Sequence, residues 1–227
     1  MKIQSRNQKI EAYNEKYPER IDDPADRIRE YFRANNLDLD KACKKAARKA
    51  LRIMEEREYE SVRIVLYEEP FFTERPRVYR GHAFSPNAAA NKQYFEKAIG
   101  QVVEGFKLIT SPAELTIEAY LEMPSTVPPD EVILFEAKML NPATKPDYDN
   151  IEKCYTDMLT DVIMSDDDLF YRAEIVKWYS LLPRVEMRIT YLKKNESDYI
   201  YKKLKNRKTI REGLAAGTIS LERLDYS

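Results

Sequence analysis

Apolar and polar positions follow two periods along this chain, and the places where the period changes mark its elements. Between residues 24 and 57, apolar positions recur every three to four residues among charged runs, which predicts helices near 24–35 and 38–57. Val62 to Tyr67 is a β-branched and aromatic run, and Leu115 to Met123 alternates; both predict strands. Pro86 opens a helix over roughly 87–106, with Tyr94, Phe95, Ala98, Ile99 and Val102 on its apolar side. Pro124 to Pro129 reads as a loop. Ile151, Cys154, Tyr155, Met158, Leu159 and Val162 then give an amphipathic helix over 150–163. Alternation resumes near 169–179 and 184–192, predicting paired strands that turn at Leu182-Pro183-Arg184. Such intermixing predicts an α+β fold: a mixed β-sheet packed by two main helices, with a helical N-terminal appendage (1–58), a central domain (59–192) and a basic C-terminal tail (193–227).

Composition narrows the class. No apolar run approaches the roughly 18 residues of a membrane span, and the N-terminus has no apolar core of a secretion signal. Cys43 and Cys154 each fall on the apolar side of a predicted helix, so both are expected as reduced core residues without a disulfide. The single histidine, His82, excludes a His-rich zinc site, and no phosphate-binding glycine motif points to a nucleotide cofactor.

Charge is distributed unevenly. Residues 136 to 168 carry nine acids and three lysines in a chain of formal net charge −1. Within them lie Asp147 and Asp149, Lys153 one helical turn later, and Asp166-Asp167-Asp168 after a helix-length gap. In an extended segment, residues two apart share a face, so Asp147 and Asp149 are placed to reach one ion. Hard oxygen donors of this kind suit Mg²⁺ or Mn²⁺. Asp149 reads as an N-cap, with Glu152 completing a capping box. Singly, each feature has a plainer reading: a cap, an exposed Lys153–Asp157 pair at i,i+4, and a polar turn. Their conjunction is harder to assign to chance.

Basic residues cluster elsewhere. Lys41, Lys44, Lys45, Arg48, Lys49 and Arg52 form one stripe on the second predicted helix, and residues 193–211 hold eight Lys or Arg against two acids. Arg75, Arg77, Arg80 and Lys92 form a third group. Each group suits phosphate contact, and Lys45, Arg48, Lys49, Arg75, Arg77, Arg80 and Lys92 are the DNA-binding candidates. Ordinary solvated helix surface is the plain alternative.

The run Asp147-Tyr148-Asp149-Asn150-Ile151-Glu152-Lys153, followed by a helix, Asp166-Asp167 and an alternating strand from Phe170 to Lys177, resembles the RusA-type Holliday junction resolvases. These are small metal-dependent endodeoxyribonucleases frequent in prophages. Arg75-Pro76-Arg77 and Phe84-Ser85-Pro86 are similar to the loop and helix start of many members, and the resemblance covers roughly Val62 to Leu192. It implies that Asp147, Asp149 and Asp167 are the essential carboxylates, holding Mg²⁺ or Mn²⁺, and that Lys153 is the essential lysine. The gap from helix to late acids is one residue shorter than in some members, so Asp166 or Asp168 is an alternative to Asp167. The resemblance also implies cleavage of branched DNA such as four-way junctions by a homodimer, in the cytoplasm of a bacterial host cell. A catalytically weak DNA-binding recombination accessory protein is the runner-up, and a D-x-D glycosyltransferase the third reading. A straight helix over 150–163 is about 20 Å long. The two acidic clusters can therefore share one ion only if that helix bends or ends early, so that the chain returns along it, or if a second subunit brings the late acids.

Overall fold

The computed structural model describes residues 23–72, 77–79, 82–84, 88–99 and 105–225. The chain divides into two compact units, one reaching Arg52 and one from Ile53 onward. In the first, α1 (Pro24–Ala34) starts with proline in its first turn, and the Asp23 carboxylate accepts from the Ala25 amide at 2.7 Å. The second helix, α2, spans Leu39–Glu56, and neither helix contains a buried residue. Cys43 is exposed there, against the expected core position, because no element covers that face among the described residues. Cys154 is buried as its period predicts.

The second unit is built on a four-stranded mixed sheet of β1 (Tyr59–Leu66), β4 (Ala113–Glu122), β5 (Phe170–Ser180) and β6 (Arg184–Leu192), in the order β1-β6-β4-β5. A separate two-stranded ribbon pairs β2 (Arg77–Tyr79) with β3 (His82–Phe84). Along β4 burial alternates, and Ala113, Leu115, Ile117, Ala119 and Leu121 turn into the core. Against that layer pack Phe95 and Ile99 of α3 (Ala88–Ile99) and Ile151, Tyr155, Met158 and Leu159 of α5 (Tyr148–Leu159). Each such fully buried side chain contributes roughly 1.5–3 kcal/mol by leaving water.

Two expectations need correction, and one helix was not foreseen. The last two strands do not pair with each other: β4 lies between them, parallel to β5 and antiparallel to β6. A period of two marks a strand but does not name its neighbour. A helix, α4 (Pro129–Glu136), follows the expected 124–129 loop; its first turn holds Pro129, Asp130 and Glu131, which suit a helix start. The 150–163 helix begins earlier and stops at Leu159, with Thr160 extended and Asp161 in the left-handed region.

The basic C-terminal stretch is helical and belongs to the second unit. Ser197 caps α6 (Asp198–Lys205), and α7 (Lys208–Ala216) ends at Gly217, whose φ of 77° glycine adopts without strain. Leu204, Ile210, Ile219 and Leu224 are buried. A Cβ on Gly213 would collide with the Ile219 side chain, so only glycine lets that residue dock. The Thr110 hydroxyl donates to the Ser220 carbonyl at 2.7 Å, joining this segment to the strand side of the unit.

Candidate active site

Helix α5 carries the first acidic cluster on its opening turn. Its N-cap is Asp147, extended at φ −69° and ψ 143°, and not Asp149 as the spacing suggested. Asp149 lies in the first turn, where the helix dipole favours a carboxylate without any capping role. The expected capping box is therefore absent. The Asp147 carboxylate accepts from the Lys145 ammonium at 2.5 Å, and both side chains are largely exposed. Asp149 has no ion pair or hydrogen bond to its carboxylate among the described residues. Lys153 stands one turn on, 3.9 Å from Asp157, an exposed i,i+4 pair of the plain kind.

The loop that delivers Asp147 is gripped from the sheet. Lys177 of β5 donates to the carbonyls of Thr144 and Pro146, both at 2.8 Å, and Tyr179 and Thr144 share a short hydroxyl contact. In sequence Lys177 was only the end of an alternating strand; no local pattern announces a lysine that will hold backbone across 31 residues.

The late acids stand elsewhere. After Leu159 the chain turns, the Ser165 amide donates to the Ile109 carbonyl at 3.0 Å, and Asp167–Leu169 form a short 3-10 turn that leads into β5. Because Lys177, well along β5, reaches back to the residues before α5, strand and helix run in opposite senses. Asp147 and Asp149 therefore mark one end of α5 and Asp166–Asp168 the other. Twelve helical residues span about 18 Å, whereas ligands of one ion lie within about 2.6 Å of it. Among the described residues no three acidic, His or Cys side chains converge on a metal-holding group. The donor chemistry fits a hard cation, and one chain's end of α5 supplies two carboxylates toward it.

Arg207, at the start of α7, organises the late cluster and was not singled out by its sequence. One guanidinium nitrogen donates to Asp166 at 2.9 Å and to Asp168 at 3.0 Å, and the other makes a short contact with Asp168. The hydrogen bonding it donates to Asp168 is the main reason its guanidinium holds its proton even more firmly than usual. Asp167 is exposed and has no such partner among the described residues.

The DNA-binding candidates divide. Lys45 and Arg48 are exposed on α2, and Lys49 is half-buried. Lys92 donates to the Thr160 carbonyl at 3.1 Å, so it closes the C-terminal end of α5 and does not stand beside Asp149. Arg77 lies in β2 opposite Phe84, while Arg75 and Arg80 fall outside the described residues. No helix among the described residues is long and apolar enough to cross a membrane.

Comparison with known proteins gives this geometry its setting. The chain is 31% identical over 135 residues to the Uncharacterized protein YqaN of Bacillus subtilis (strain 168), a match covering 56% of this chain and 94% of that one. The family model described as Endodeoxyribonuclease RusA matches residues 68–190, which include both acidic clusters, Lys153 and Lys177. The chain belongs to the RusA endodeoxyribonuclease family.

Proposed function

We propose that this protein is a divalent-metal-dependent endonuclease that resolves four-way DNA junctions in recombination, and that it works as a homodimer in the cytoplasm of a bacterial host, from a gene of phage origin. The observation that carries this reading is Asp149, an exposed carboxylate without a protein partner among the described residues, set between Asp147 and Lys153 on the first turns of α5 within the matched region. Asp147, Asp149 and Asp167 would hold Mg²⁺, with Mn²⁺ as a substitute. When bound, the ion supplies an acidified water and neutralises charge on the scissile phosphate.

The chain's own residues do the rest. Lys177 fixes the loop that delivers Asp147 to the start of α5, and Lys153 sets its ammonium one turn beyond Asp149, where it offsets negative charge on the phosphate. Since Asp167 lies at the far end of α5 in its own chain, the third carboxylate comes from a second copy. A two-fold dimer makes two equivalent sites, which symmetric cutting of a four-way junction requires. Lys45, Arg48, Lys49, Arg75, Arg77, Arg80 and Lys92 remain the proposed phosphate contacts, although Lys92 must release Thr160 to serve.

The decisive experiment incubates labelled four-way, Y-shaped and linear duplex DNA with the protein in Mg²⁺, in Mn²⁺ and in chelator. Paired nicks in the junction alone, lost on chelation, are expected. Stoichiometric junction binding without turnover in either ion would instead make it a recombination accessory protein. Mixing Asp149→Asn with Asp167→Asn tests the shared site: the heterodimer regains one complete site and nicks a single strand, whereas a site within one chain recovers nothing.

A further inference from the structure

The late acidic cluster offers three adjacent carboxylates where a shared site needs one. Unscreened, Asp166, Asp167 and Asp168 would repel one another, repel the DNA phosphates, and compete for the same cation. The structure sorts them. Asp166, the cap of the 3-10 turn, and Asp168 are two apart, and both turn to the Arg207 guanidinium. Asp168 takes the two-pronged fork and Asp166 accepts from one of the same two nitrogens, so one planar cation occupies both. Arg207 comes from 39 residues beyond Asp168, at the junction of two helices whose Leu204 and Ile210 are buried on either side of it. Its guanidinium is thus carried on an anchored element and not on a free surface arm. It also lies outside the matched residues 68–190.

We propose that Arg207 is a positioning residue for the nuclease site: it neutralises Asp166 and Asp168, leaves Asp167 as the one acid available to the metal, and so makes the C-terminal helices part of the active machinery. This rests on the reading of Asp167 as a metal-holding carboxylate. Lysine at this position keeps the charge and loses the fork; glutamine keeps polar contacts and loses the charge.

The test measures four-way junction cleavage, the Mg²⁺ concentration for half-maximal rate, and the melting temperature of the full chain. Arg207→Ala is expected to lower kcat/KM at least tenfold and to move the Mg²⁺ midpoint to lower concentration, because two unscreened carboxylates now attract the ion unproductively. Adding Asp166→Asn and Asp168→Asn to Arg207→Ala is expected to bring the rate back to within threefold of the parent, since nothing remains to be screened. A strut that only holds the helices would lower the melting temperature, leave the Mg²⁺ midpoint fixed, and gain nothing from the amides; that pattern overturns the proposal, as does a triple variant no faster than Arg207→Ala. If Arg207→Ala does not fold, Arg207→Lys and Arg207→Gln decide: lysine active and glutamine at least tenfold impaired supports the role, and equal rates refute it. Full cleavage by Asp167→Asn alone would remove the carboxylate assignment, and with it the basis of the proposal.

Discussion

The two ends of α5 hold their acids by different means. At the N-terminal end the cations are neighbours in sequence: Lys145 is two residues before Asp147, and Lys153 is one turn from Asp149 and Asp157. At the C-terminal end the cation arrives from another part of the chain, as Arg207 bridges Asp166 and Asp168. The first arrangement forms with the helix itself. The second exists only after the C-terminal helices have docked. A cluster tied by local lysines keeps mobile, solvated charges that a metal or phosphate displaces easily, whereas a forked arginine commits its carboxylates.

The sharpest break in this contrast is Asp149→Asn. As Asp149 is neither cap nor ion-pair partner among the described residues, the amide should cost less than about 1 kcal/mol of stability, from the helix dipole alone. Cleavage should fall by about 10³-fold or more, because the amide is a poor ligand for a hard cation. Activity assays beside thermal melts check this, and near-parental cleavage would defeat the site assignment.

Lys153→Met comes next. The 3.9 Å approach to Asp157 is worth no more than about 0.5 kcal/mol, so stability should hardly change while cleavage drops by about 10²-fold. Equal, small changes in both would return Lys153 to ordinary helix surface. Lys177→Met tests how the local cluster is aimed: losing the grip on Thr144 and Pro146 should lower kcat about tenfold and cost about 1–2 kcal/mol of stability.

Much of this contrast follows what a sequence can carry. The apolar spacing of Ile151, Cys154, Tyr155, Met158 and Leu159 predicts the buried face of α5, and all five are buried. Only Val162 falls past the helix end. β6 lies where its alternation places it, at 184–192. What sequence pattern left open is choice of partner. Nothing in β5 or β6 says that β4 will come between them, because both strands offer backbone edges of the same kind. Nothing near Arg207 says that its fork will close on acids 39 residues earlier. Cys43 failed for a related reason: an apolar stripe promises burial only if some element arrives to cover it. The Asp149 cap failed because the helix already begins at Tyr148, which leaves Asp149 inside its first turn.

The smallest effect is expected from the basic stripe. Reversing Lys45, Arg48 and Lys49 to Glu should weaken junction binding several-fold, with no change in the catalytic step. The slope of log affinity against log salt should flatten by roughly 0.9 for each phosphate that is no longer neutralised. An unchanged salt titration would make that helix a solvated surface, and would leave the C-terminal helices as the flank whose charges reach the acidic clusters.

The strand order β1-β6-β4-β5 also governs how the protein assembles. The parallel pair β4–β5 cannot close like a hairpin; it must wait for α4, the acidic loop and α5 to fold across it. Loop closure of that length is slow relative to helix formation, so the grip of Lys177 on the loop before Asp147 forms in the same step that completes the sheet. The chain's one tryptophan, Trp178, sits on β5 opposite Tyr120, with its indole donating to Glu118 of β4 at 3.1 Å and the Lys138 ammonium over its ring. Its fluorescence is therefore a built-in clock for that closure, and a refolding trace followed at Trp178 reports when β5, with Lys177 next to it in sequence, has joined the sheet.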